Sequence, residues 1–74
     1  MKIYPEGSPY IIDRVGEEYN LIGLKHCGNG SSALYHTGEL EECKNAFYEM
    51  TKKFSNEQRV LYVIDEDIKF KRII

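Results

Sequence analysis

Hydrophobic and polar residues follow two periods along this chain, and the first of them is typical of β-strands. Residues 10–15 are β-branched and aromatic in character and are followed by a turn signal at residues 16–18. Residues 19–27 and 31–36 form two further segments of this type. Because such segments, bounded by turn residues, are typical of strands, we predict three strands in the first half of the chain.

The strongest local signal is Gly28-Asn29-Gly30, which separates the second and third segments. Asn-Gly tolerates the positive φ angles that tight hairpin turns need, so these two segments should form an antiparallel hairpin. A two-residue turn at each hairpin sets the register. The expected pairs are His26 with Ala33, Leu24 with Tyr35, and Ile11 with Ile22.

From residue 38 onward the spacing of apolar residues changes to three and four. This stripe consists of Leu40, Cys43, Phe47, Met50 and Phe54. It predicts an amphipathic helix over about residues 38–54. Thr37 is the expected N-terminal cap, and Lys52 and Lys53 fall in the last turn, where the helix dipole favours cations.

Two further strands are expected after the helix. Residues 60–64 are apolar on both faces, as in a central strand, whereas residues 68–73 alternate, as in an edge strand. The predicted fold is therefore a single α+β domain over residues 1–74. Its order is β-β-β-α-β-β, with the helix packed on an antiparallel sheet.

One helix can cover only one face of such a sheet. The register places Ile11, Val15 and Ile22 on a common face, which we assign to the helix. The opposite face would carry four apolar or aromatic residues: Tyr10, Ile12, Tyr19 and Leu21. Because contiguous exposed apolar patches mark association surfaces, we predict that these four residues bind a protein partner or form a homodimer.

Composition and charge narrow the classes of function. The chain has 74 residues and a net charge of −2, which excludes a strongly basic nucleic-acid-binding protein. It contains neither an apolar run of the kind found in secretory signals nor one long enough to span a membrane. We therefore expect a cytoplasmic protein without a membrane partner.

Four residues have side chains that zinc favours: His26, Cys27, His36 and Cys43. Their spacing matches no familiar pair of zinc ligands, and the two-residue turn places His26 and His36 on opposite faces. A three-residue loop would place both histidines on one face, so their convergence stays open. We expect no metal and no cofactor, and we expect both cysteines to remain thiols.

The sequence shows no convincing catalytic constellation. His26 and Cys27 are adjacent, so their side chains diverge in a strand, and no glycine-rich phosphate loop precedes a helix. We therefore predict a non-catalytic interaction module with an accessory or inhibitory role. The alternative is a weak nucleic-acid contact through Lys69, Lys71 and Arg72, although the overall charge makes nucleic acid the less favoured partner.

Overall fold

The computed structural model describes residues 3–5, 10–23, 33–66 and 68–74. These residues form β1 (Tyr10–Val15), β2 (Glu18–Gly23), β3 (Ala33–Gly38), α1 (Leu40–Met50), β4 (Tyr62–Ile64) and β5 (Phe70–Arg72). The α+β class and the order β-β-β-α-β-β are confirmed. The strands after the helix are shorter than their apolar segments, with three residues each.

The sheet is mixed, with the strand order β3-β2-β1-β4-β5. Neighbouring strands are antiparallel except β1 and β4, which run parallel and place Ile12 beside Val63. The prediction of a purely antiparallel sheet is therefore wrong at this junction. β3 and β4 point in the same direction, so the connection between them, which contains α1, crosses over β2 and β1, and parallel strands require a crossover of this kind.

The core lies between α1 and one face of the sheet. Its buried members are Tyr10, Ile12, Leu21, Cys43, Phe47, Leu61 and Val63. Tyr19 is half-buried and packs against this cluster. The prediction that Tyr10, Ile12, Tyr19 and Leu21 form the face away from the helix is therefore wrong, because all four lie on the helix side.

The physical reason for this inversion is the strand order. The predicted pair of Ile11 with Ile22 is confirmed, but β1 and β2 are apolar on both faces, so their pattern does not show which face is covered. Parallel strands joined through a helix are almost always connected in a right-handed sense. Once β4 lies next to β1, this handedness places α1 over the face that carries Ile12 and Leu21.

The two hairpins differ in how well the local sequence predicts them. Gly16 has a φ of +65° at the first position of the turn between β1 and β2, a conformation that glycine adopts at little cost. Between β2 and β3, by contrast, Ala33 lies opposite Gly23, and Tyr35 is the extra residue of a β-bulge. The predicted partners of Ala33 and Tyr35 are therefore wrong, and the turn at residues 28–30 lies outside the described residues.

The helix begins at a different cap from the predicted one. Glu39 is the N-cap residue, and its backbone N–H donates to Oε1 of Glu42 at 3.5 Å as part of a capping box. The Thr37 hydroxyl donates instead to Oδ1 of Asn20 at 3.0 Å, across the β2–β3 pair. Thr37 thus stabilises the sheet and not the helix.

The helix ends at Met50, earlier than the predicted residue 54. Thr51 is fully buried, and its hydroxyl donates to the backbone oxygen of Phe47 at 2.7 Å. The Arg59 guanidinium folds back and donates to the backbone oxygens of Thr51 at 3.0 Å and Lys52 at 3.3 Å. A cation from the following turn therefore satisfies the helix C-terminus, while Lys52 and Lys53 lie beyond the last turn.

The placement of the core can be tested by a pair of substitutions. Leu21→Ala should lower the free energy of unfolding by about 2–5 kcal/mol, because it leaves a cavity beneath α1. Val15→Ala, at a position that is 61% exposed on the other face, should cost less than about 1 kcal/mol. Urea unfolding followed by circular dichroism measures both values. Equal losses would contradict the assignment of the two faces.

The Arg59 contacts give a second stability prediction. Arg59→Ala should lower the free energy of unfolding by about 1–2 kcal/mol, because two carbonyl oxygens at the helix end lose a charged donor. Lys53→Ala removes an exposed cation from the same turn and serves as the control. Thermal unfolding of both variants checks this expectation, which fails if Lys53→Ala is as damaging as Arg59→Ala.

Candidate interaction surface

The sheet face away from α1 carries an apolar row that crosses four strands. Its members lie side by side: Tyr62 on β4, Ile11 on β1, Ile22 on β2 and Leu34 on β3. Ile11 is fully buried, Tyr62 and Ile22 are half-buried, and Leu34 is 63% exposed. The row therefore becomes accessible toward β3, where it ends in a large apolar side chain in contact with solvent.

The adjacent row on the same face is polar. Asp13 is only 4% exposed and accepts a hydrogen bond from the backbone N–H of Arg14 at 2.7 Å. Next to it, Asn20 and Thr37 are joined by the side-chain hydrogen bond described above. The second of these contacts joins β3 to β2, so Leu34 lies on a strand that side-chain as well as backbone hydrogen bonds hold to its neighbour.

The two edges of the sheet differ in length and charge. β5 is three residues long and carries the exposed cations Lys71 and Arg72. β3 is six residues long and contains neither a charged residue nor proline. Among the described residues, no strand pairs with the outer edge of β3. Short length and lysine are common protections of an edge strand, and β3 has neither of them.

At the opposite end of the same face, the N-terminal segment lies against β5. The backbone N–H of Ile3 donates to the oxygen of Ile68 at 2.7 Å, and the rings of Tyr4 and Phe70 stack with their centroids 5.3 Å apart. Ile3 and Tyr4 remain 60% and 49% exposed. These contacts occupy the β5 side of the face, whereas Leu34 on its β3 side is 63% exposed.

The cations of the predicted nucleic-acid contact are not brought together. Lys71 and Arg72 are successive residues of β5, so their side chains leave opposite faces of the sheet. Nζ of Lys71 lies 4.0 Å from a carboxylate oxygen of Asp65, and Nε of Arg72 donates to the oxygen of Ile74 at 2.8 Å. Lys69 lies just before β5, where its oxygen accepts the N–H of Asp65. No observation favours a nucleic-acid function over the expected protein contact.

The residues with zinc-binding side chains are only partly described. His26 and Cys27 lie outside the described residues, so convergence of the four residues stays untested. His36 and Cys43 do not meet: Nε2 of His36 lies 3.4 Å from Oε2 of Glu42, and Sγ of Cys43 donates to the oxygen of Tyr19 at 3.4 Å. In the described ranges, His, Cys, Asp and Glu form no cluster of three or more that could hold a metal ion.

The environment of Cys43 is that of a structural thiol. Its side chain is fully buried in the core, and burial raises the pKa of the thiol, with a further contribution from the nearby Glu42 carboxylate. A raised pKa leaves less thiolate at neutral pH, and the thiolate is the nucleophile. Cys43 is therefore held in an unreactive form.

A small open pocket lies where β1 and β4 end. Its volume is about 90 Å³, and it is lined by Arg14, Tyr19, Ile64, Asp65 and Glu66. This is space for a few water molecules at most, since each takes about 30 Å³ in the liquid. The pocket is far below the size of a typical small-molecule site, and its charged groups carry both signs.

Sequence reasoning missed Leu34 and the outer edge of β3. The signal is present in residues 33–38, a strand-forming segment without charge or proline. This segment indicates a binding surface only if β3 is an edge strand. Whether β3 is an edge strand depends on the position of β4. Local patterns along the chain do not contain this information.

The environment of Cys43 predicts a slow reaction with alkylating reagents. In a Cys27→Ser variant at pH 8, iodoacetamide should modify Cys43 at least about a hundredfold more slowly than a free cysteine, because the thiol is buried and its raised pKa disfavours the thiolate. Mass spectrometry follows the reaction. The same variant in denaturant is the control, and a rate in the native state equal to the denatured rate would contradict this assignment.

No helix of the described residues is long and apolar enough to cross a membrane. Comparison of the chain with models of protein families, with curated proteins and with solved structures finds no match. We therefore infer a function from the geometry of the sheet face and its edge.

Proposed function

We propose that this chain is a small, non-catalytic interaction module that binds a protein chain at β3 and at the part of the helix-distal sheet face beside it. The observation that carries the proposal is the outer edge of β3, which is six residues long, uncharged and next to the 63% exposed side chain of Leu34. An accessory or inhibitory role in the cytoplasm, where Cys43 stays a thiol, is part of this proposal.

Backbone chemistry supports this choice of surface. An edge strand offers a row of N–H and C=O groups to another extended chain, and adding a strand to a sheet is a recurrent mode of protein recognition. The neighbouring apolar row through Ile22 and Leu34 provides side-chain contacts for the same partner. Backbone hydrogen bonds would supply affinity, and Leu34 would supply an apolar anchor.

The four residues first expected to bind the partner have a different role in this proposal. Tyr10, Ile12 and Leu21 are buried beneath α1, and half-buried Tyr19 packs beside them. They hold β1 and β2 against the helix and so give β3 a fixed support. The proposed interaction surface therefore lies on the opposite face of the same strands, which is the face away from α1.

Site-specific photo-crosslinking tests this surface. A benzophenone amino acid is placed at position 34 or, as the control, at position 15, whose side chain has nearly the same exposure of 61% on the same face. Irradiation of cells that contain the protein should give a covalent adduct at position 34 with a yield at least about fivefold above that at position 15, because position 34 lies on β3, whose outer edge no described strand covers, whereas position 15 lies on the central strand β1.

Two results would contradict the proposal. Equal adduct yields at positions 34 and 15 would show nonspecific contact of the whole face. The absence of an adduct at position 34, with the variant folded by circular dichroism, would remove β3 as the contact surface.

A further inference from the structure

We infer that the partner at the outer edge of β3 is a second copy of this chain, paired antiparallel through a two-fold axis between Tyr35 and His36. This inference rests on the function proposed above and names the partner of the same surface. It follows from the direction of the backbone groups of β3 and from the effect of its bulge.

The direction of the backbone groups follows from the first hairpin. Its two-residue turn makes Val15 and Glu18 a hydrogen-bonded pair, and opposite residues of an antiparallel pair alternate between bonded and non-bonded. Asn20 and Ile22 therefore also turn their N–H and C=O groups toward β1. This leaves the intervening residues of β2 to bond β3.

Leu34 and Thr37 lie opposite Ile22 and Asn20. Since those two residues of β2 bond β1, Leu34 and Thr37 turn their own N–H and C=O groups to the outer edge of β3. No described residue accepts or donates there. The outer edge of β3 thus presents the N–H and C=O groups of Leu34 and Thr37. The two residues of the bulge, Tyr35 and His36, lie between them.

Because of the bulge, the order in which the side chains of β3 take the two sheet faces is the same from either end of the strand. Tyr35 contacts Tyr10 in the core, with the ring centroids 6.2 Å apart, and His36 contacts Glu42 on α1, so both lie on the helix side. Leu34 and Thr37 lie on the distal face, and the terminal residues 33 and 38 are again on the helix side. An ordinary six-residue strand, which alternates at every position, lacks this symmetry.

One register of two antiparallel copies therefore uses all six residues with every opposing pair on a common face. It pairs Ala33 with Gly38, Leu34 with Thr37, and Tyr35 with His36 of the other copy. In this register the outward N–H and C=O groups of Leu34 lie opposite those of Thr37 of the other copy. Because of the two-fold symmetry, this contact occurs twice. β3 contains no Asp, Glu, Lys or Arg, so no two such side chains oppose each other in this register.

The position of α1 fits the same arrangement. The helix packs on β2 and β3, so its axis lies over the space between them, and strands are about 4.8 Å apart. Two-fold pairing then places the two helix axes about 10 Å apart, within the range of packed helices. The flank of α1 toward β3 carries Glu42, followed at four-residue intervals by half-buried Ala46 and exposed Met50. The small side chain of Ala46 limits the bulk of this flank.

The other edge of the sheet does not fit a second copy in this way. β5 has three residues, and its Lys71 and Arg72 would approach the same cations of a second chain. The contact of residue 3 with residue 68 also lies at this end of the sheet. Like charges on a short strand disfavour self-pairing.

The experiment is sedimentation equilibrium of the full chain from about 10 μM to about 1 mM, a range that covers weak and moderate dimers. A reversible shift from 8.6 kDa to twice that mass is expected. In parallel, hydrogen exchange by NMR should show the amides of Leu34 and Thr37 slowed at least about tenfold at the high concentration. This second readout uses the unaltered protein.

Two variants at one position separate the backbone contact from the side-chain contact. Leu34→Pro removes the outward N–H, for which the described residues offer no acceptor, so it should fold and remain monomeric. Leu34→Ala removes the side chain and keeps the N–H, so it should still dimerise, with a dissociation constant raised at least about threefold. Circular dichroism checks that both variants fold.

The outcomes distinguish this inference from the proposed function. A chain that stays at 8.6 kDa, with Leu34 and Thr37 amides unprotected at the high concentration, overturns the dimer. Protection on β5 in place of β3, or equal dimerisation of folded Leu34→Pro and Leu34→Ala, also overturns it. If the photo-adduct at position 34 contains a different protein, the proposed function stands and only the second copy is wrong.

Discussion

The parallel pairing of β1 with β4 is the contact on which the remaining structure depends. It requires the connection that contains α1 to cross over β2 and β1, and the right-handed sense of that crossover selects the face that becomes the core. It also leaves β3 as an edge strand, because β1 then has β2 on one side and β4 on the other. The side of the core, the helix-distal face and the edge position of β3 in the described sheet all follow from this one junction.

The elements themselves were predictable because their signals are local. The turn at Gly16, the three strand segments before the helix and the apolar spacing through Cys43 and Phe47 all appear within short windows of sequence. The helix end was not predictable from spacing alone, because Met50 and Phe54 continue the stripe that Thr51 and Arg59 interrupt. Thr51 and Arg59 act through tertiary contacts, and the spacing of apolar residues does not show such contacts.

The candidate surface was predictable only in part, for a related reason. β1 and β2 have apolar residues on both faces, and the pair of Ile11 with Ile22 is compatible with either face beneath the helix. The choice depends on the position of β4, which lies far along the chain from β1. The bulge at Tyr35 is equally hidden, because one extra residue alters the register without changing the composition of the strand.

The separation of β1 and β4 along the chain also affects how the chain reaches its fold. Leu61 and Val63 belong to the core, and Ile73 and Ile74 pack against it. The first hairpin is a local contact that can form early, but its apolar helix-side residues stay uncovered until α1 and β4 have joined it. The parallel pairing of β1 with β4 joins residues far apart in sequence, and contacts of this kind slow folding.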